Sequence, residues 1–144
     1  MTYTKDKNTY AIRIFRDEEV MDVLTRFCVE ENIYHASFTG IGATKSSTFG
    51  YYDLEKREYF FETYDQLMEV ISMNGNVSLL EGKPFLHVHA AFGDTDLKVY
   101  GGHVKNMTAG VTIEIHFTAY DSKVERAYDA EVGLNLFNLP CQFA

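Results

Sequence analysis

One stretch of this chain carries the rhythm of a helix, and almost everything after it carries the rhythm of strands. In "DEEVMDVLTRFCVEEN" the apolar residues Val20, Val23, Leu24, Phe27 and Cys28 recur at i, i+3, i+4, i+7 and i+8, the spacing of one buried stripe. Asp17 is placed to cap the start, Glu18 and Glu19 suit the positive end of the helix dipole, and Asn32 reads as a left-handed stop. Before it, "YAIRIFRD" alternates as an opening strand with Ile12 and Ile14 on one face. After it come "YHASFTGIGA", "KSSTFGYYD", "EYFFETY", "LMEVISMNGNVSL", "FLHVHAAFG", "LKVYGGHV" and "GVTIEIHFTAY". These are β-branched and aromatic segments set apart by Gly, Asn, Asp or Lys. One helix followed by consecutive strands predicts an α+β domain on a largely antiparallel sheet. No linker or repeat divides the chain, so residues 1–144 read as a single domain; the tail "AEVGLNLFNLP" reads as irregular structure or a last strand.

Composition narrows the class. Apolar residues make up 46% of the chain and aromatics 15%, with only two prolines, which is the profile of an ordered globular protein. No apolar run approaches the ~18 residues of a membrane span, and the N-terminus lacks the pattern of a signal peptide. Cys28 and Cys141 lie far apart in apolar surroundings and read as reduced, packed thiols, which points to the cytoplasm. The net charge is −8 and the thirteen Lys and Arg are dispersed, against the basic face a nucleic-acid binder presents. Direct DNA binding is therefore disfavoured, although the fold or an oligomer could still assemble a basic surface.

Three of the five histidines fall within "KPFLHVHAAFGDTDLKVYGGH". On a strand, His87 and His89 point to one face while Leu86, Val88 and Ala90 point to the core. "GDTDL" is a turn signal, and a tip near Thr95 predicts His87 opposite His103, with His89 diagonal to it. Opposed positions have Cβ atoms ~4.5–5.5 Å apart and diagonal ones ~7–8 Å, within reach of imidazoles sharing one ion. Gly101 and Gly102 remove side chains just before His103, where an ion or ligand needs room. Neutral imidazole suits zinc, copper, iron and nickel, and three protein ligands leave a further position open for water or a small ligand. For His-x-His alone the plainer reading is a solvated sheet face, or core histidines satisfied by carbonyls. The third imidazole on the adjacent strand favours a metal.

Other candidates are weaker. His116 shares a face with Thr112, Glu114 and Thr118 while Val111, Ile113, Ile115 and Phe117 alternate toward the core; it reads as exposed sheet surface, or an inter-subunit contact. His35 reads as a strand-edge residue. The glycines of "FTGIGATKSSTFG" precede no helical pattern, so they mark a turn or bulge rather than a dinucleotide site, and no phosphate-binding loop occurs. "NGN" at 74–76 reads as a turn between strands. Glu69 is an acid in an otherwise apolar strand; facing inward it would need an imidazole N–H or a metal-held water, and facing outward it is a solvated strand residue. Part of the aromatic content of "FGYYD" and "EYFFETY" suits a subunit interface.

Taken in order, "TGIGA", "FGYYD", "EVISMNGNVSL", "KPFLHVHAAFGD", "YGGHV" and "VTIEI" resemble the plant and prokaryote conserved (PPC) domain, over about residues 10–120. The resemblance implies an antiparallel sheet of about seven strands with one main helix, assembled as a homotrimer. It also implies a metal on the His-x-His and Gly-Gly-His histidines, here His87, His89 and His103. Stand-alone prokaryotic members are often labelled predicted DNA-binding proteins by association with plant members that carry AT-hooks; this chain has no AT-hook core, and association by fold does not establish function. The leading expectation is a cytoplasmic homotrimer holding one divalent transition metal per subunit, zinc first among the choices, with room for an unknown small ligand. Glu69 stands as an acid/base or ligand-orienting group, and whether the protein is an enzyme is not readable from its residues. The alternatives are a DNA-associated regulatory protein, in which the trimer is a scaffold and the metal structural or incidental, and a pure oligomerisation module.

Overall fold

The helical stripe forms where its spacing places it. In a computed structural model, which describes residues 1–140, helix α1 spans Val20–Glu30 and buries Val20, Val23, Leu24, Phe27 and Cys28. Its N-cap is Glu19 rather than Asp17: the Glu19 carboxylate accepts the Asp22 N–H at 2.6 Å and the Met107 N–H at 3.0 Å. Asp17 instead takes a left-handed conformation (φ 71°) and pairs with Lys45, so the turn into the helix uses it before the cap position is reached. Asn32 is left-handed at φ 56°, as a helix stop requires. Burial pushes the Cys28 thiol up to about 12, an inert packed sulfur; Cys141 lies outside the described residues.

The remaining elements are β1 (Thr2–Asp6), β2 (Thr9–Phe15), β3 (Ala36–Asp53), β4 (Glu58–Tyr64), β5 (Met68–Leu80), β6 (Lys83–Gly93), β7 (Val99–Ala119), β8 (Arg126–Asp129) and β9 (Leu134–Phe137). Seven form one antiparallel sheet in the order β1-β2-β7-β6-β5-β3-β4, and a further β7–β3 pairing closes a ring through β3, β5, β6 and β7. The C-terminal β8 and β9 make a separate antiparallel hairpin. The expected α+β architecture, with one helix and a seven-stranded antiparallel sheet, is therefore what the chain adopts. Among the described residues no helix is long and apolar enough to cross a membrane.

Three details differ from expectation. The paired segments on either side of Gly42, and those on either side of Gly110, are not separate strands but the continuous β3 and β7, bent at register shifts. At Gly42 (φ 149°) a Cβ would come within 2.0 Å of the Thr112 carbonyl oxygen, so the bend needs glycine. Between the pairs Gly42–Ile113 and Thr44–Ala109, β7 carries more residues than β3, and the excess turns Val111 outward, where it is 59% exposed instead of in the core. The "NGN" segment is no turn: Asn74, Gly75 and Asn76 pair with His89, Val88 and His87 in mid-ladder. Gly75 is there because the Phe38 ring lies across it, its Cζ 2.2 Å from where a Cβ would stand.

The core lies between α1 and the concave sheet. Phe27 is its hub, packed edge-to-face on Tyr3, Tyr10 and Phe117 with ring centroids 5.1–5.4 Å apart, and Phe117 stacks on Phe38. The Phe27→Ala variant is expected to lose about 3–5 kcal/mol of stability, read from denaturant unfolding at fixed protein concentration. A loss below about 1 kcal/mol would show that the helix does not depend on this ring.

Candidate metal centre

The β6–β7 hairpin is set by its turn. The Asp94 carboxylate accepts the N–H groups of Asp96 and Lys98, both at 2.9 Å, and Leu97 adopts φ 62° as its N–H donates to the Asp94 carbonyl. This pairs Gly93 with Val99, Ala91 with Gly101, and His89 with His103. His89, not His87, therefore faces His103, and His87 is the diagonal member. The left-handed Leu97 moves the tip beyond Thr95 and slides the register by two residues, which leaves every side chain on its expected face. The three imidazoles meet as predicted, with ring centroids 5.1, 5.2 and 5.4 Å apart. One nitrogen from each lies within 4.8 Å of the others. On the opposite face Val88 and Ala90 are buried in the core.

The two glycines before His103 serve the backbone rather than the ion. A Cβ on Gly102 would stand 2.3 Å from the Gly50 carbonyl oxygen, and one on Gly101 2.6 Å from that of Ala90. They let β7 lie tightly between β6 and β3, which fixes where His103 emerges. Gly50 pairs with both His103 and Phe61, so β4 brings its aromatics alongside. The Tyr59 ring centroid is 4.8 Å and that of Phe61 6.3 Å from His103.

Burial, then the charges of His87, His89 and Arg126, push the His103 imidazole down to about 4. Burial, followed by Arg126 and His89, pushes His87 down as well. Both are thereby held neutral at physiological pH, the form that donates a nitrogen lone pair to a metal. The His103 Nδ1 is buried and has no hydrogen-bond partner among the described residues. A buried imidazole nitrogen left unpaired carries a desolvation cost that an ion would relieve. For tetrahedral zinc, bonds of ~2.0–2.1 Å place ligand nitrogens roughly 3.3 Å apart, within reach of these rings by side-chain rotation. The donor set and the unpaired nitrogen thus fit a transition metal.

Arg126, which carried no signal in the sequence beyond its charge, also reaches this face. Its Nε donates to the Ser78 hydroxyl at 2.8 Å, Nη2 to the Asn76 side-chain oxygen at 3.2 Å, and Nη1 to the Asn135 carbonyl at 2.8 Å. The guanidinium lies over the rings of Phe85 and Phe137, 4.7 and 4.8 Å from their centroids. Asn76 is the residue paired with His87, so the cation rests beside the imidazoles. Glu69 is not brought there. It pairs with Ala43 and with Gly93, four positions beyond His89 along β6, and is exposed. His116 is exposed on β7, and His35 lies immediately before β3, its Nδ1 2.8 Å from the Ser122 hydroxyl and its ring against Tyr120.

Comparisons place this geometry in context. A family model described as the Plants and Prokaryotes Conserved domain matches residues 1–121, and the chain belongs to that family. A solved structure of a candidate DNA-binding protein from Bacteroides thetaiotaomicron is 28% identical with a TM-score of 0.92, covering 95% of this chain and 96% of that one. A plant- and prokaryote-conserved protein from Pyrococcus horikoshii is 33% identical with a TM-score of 0.86, covering 97% and 96%. A metal-containing protein from Archaeoglobus fulgidus is 31% identical with a TM-score of 0.84, covering 94% and 96%. No curated protein matches the chain.

The low position of His103 sets a pH dependence. As pH falls the unfolded chain takes up this proton first, near ~6.5, and the folded one only near about 4. The stability of metal-stripped protein should be complete above ~6.5, fall through that window, and level toward about 4 apart from carboxylate effects. Denaturant melts across the window should show a shallower dependence for His103→Gln; identical slopes in both proteins would refute the assignment.

Proposed function

Proceeding from membership of that family, we propose that the protein is a homotrimer in which each subunit binds one divalent transition metal, zinc first among the choices, through His87, His89 and His103. The observation that carries this reading is the convergence of three imidazoles, one with a buried nitrogen that has no partner among the described residues. The metal-containing relative from Archaeoglobus fulgidus supports it. With three protein ligands, the ion would keep a position for water or a small ligand, and would supply Lewis acidity or a water acidified toward a pKa of ~7. The chain's own residues hold His87 and His103 neutral and flank the site with Tyr59, Phe61 and Arg126. Self-association is supported by apolar side chains turned to solvent away from the core: Ile41, Ile71 and Val111 are 52–59% exposed on neighbouring strands. The cytoplasm is the compartment that the buried thiol of Cys28 suits.

A DNA-associated role is the second reading, favoured by the candidate DNA-binding relative from Bacteroides thetaiotaomicron and opposed by the net charge of −8. It requires retention on DNA that weakens steeply with salt.

Elemental mass spectrometry on untagged protein should give close to one metal per chain, lost in His87→Ala and His103→Ala, with light scattering reporting three chains per particle. Folded wild-type protein without metal would sink the metal reading. Salt-dependent DNA retention by that same metal-free protein would establish the second.

A further inference from the structure

Among the described residues Arg126 has no countercharge, and it lies beside a site that would itself hold a cation. A guanidinium has five N–H donors; three are engaged by Ser78, Asn76 and Asn135, which leaves two without a partner among the described residues. All three acceptors are neutral, so they aim the group without cancelling its charge. Its planar fork matches an oxyanion bidentately. The surroundings are aromatic: Tyr59 and Phe61 against His103, Phe85 and Phe137 against the guanidinium. Such walls suit an apolar or planar body better than a small, strongly hydrated inorganic ion. Arg126 lies beyond residues 1–121 matched by the family model, on a hairpin tied to the sheet through Leu79, whose N–H donates to the Val124 carbonyl at 2.8 Å.

We propose that the ligand of this site is a small organic carboxylate, clamped by the free N–H groups of Arg126 beside the three imidazoles and bordered by aromatic rings. The inference rests on the metal reading above and adds the class of ligand. Arg126 is a binding residue in this account, and the Asn76 and Ser78 side chains position it.

The test is calorimetric titration of untagged, zinc-loaded protein with benzoate, acetate and inorganic phosphate, with metal content measured on the same samples. Wild type should bind benzoate more tightly than acetate or phosphate. Arg126→Gln should weaken benzoate about tenfold or more, and Arg126→Lys by less, with one metal per chain retained in both. Should Arg126→Gln unfold the hairpin, Arg126→Lys and the comparison of benzoate with neutral benzamide on wild type still decide the matter. No benzoate binding by zinc-loaded wild type, equal benzoate affinity in wild type and both variants, equal affinity for benzoate and benzamide, or tighter binding of phosphate would overturn the carboxylate and leave the metal standing. Wild type that takes up no metal would overturn both.

Discussion

Everything in this molecule hangs on the pairing of β3 with β7, two strands long enough to belong to both ends of the structure. At one end they close the core under α1, with Phe38 stacked on Phe117. At the other end the same ladder pairs Gly50 with His103. A strand pair this long cannot stay flat, because the right-handed twist accumulates. The register shifts after Gly42 and near Thr48 absorb the strain and let the sheet curl until β5 and β6 complete the ring. Glycine appears where carbonyl oxygens would otherwise meet a side chain, so the chain gives up local stiffness for close strand approach.

The histidine face shows what that geometry does to charge. Partial burial and a neighbouring guanidinium both disfavour protonation, so His103 is kept neutral far below the pH at which free imidazole would charge. His87 and His103 therefore present lone pairs rather than positive charges. Arg126 is the exception, its charge spread over two aromatic rings and three neutral acceptors. An acidic chain thus carries a guanidinium bordered by aromatic rings beside three imidazoles, which a net charge of −8 does not reveal.

The helix was legible because its five buried residues declare the period by themselves, and the shared face of His87, His89 and His103 because strand parity survives a slide of two residues. The register was not, because it depends on Leu97 entering a left-handed conformation, which a leucine does not advertise. Asn74–Asn76 reads as a turn by composition, yet the Phe38 ring demands the glycine from across the sheet. The Asp17 cap failed for a similar reason, since Glu19 reaches Met107 on a strand distant in sequence. Arg126 was invisible because its importance comes from Ser78, Asn76 and Phe85, which no local pattern connects to it.

The hairpin turn at residues 94–98 also has a consequence in time. The three imidazoles are gathered by one of the most local pairings in the sheet, and hairpins of this kind close in ~1–10 μs. The guanidinium arrives only after a C-terminal hairpin has found β5, a contact between distant parts of the chain and correspondingly late. The two halves of the site thus differ in what they ask of the chain: the nitrogen donors come from one local hairpin, and the positive charge from a contact between distant segments.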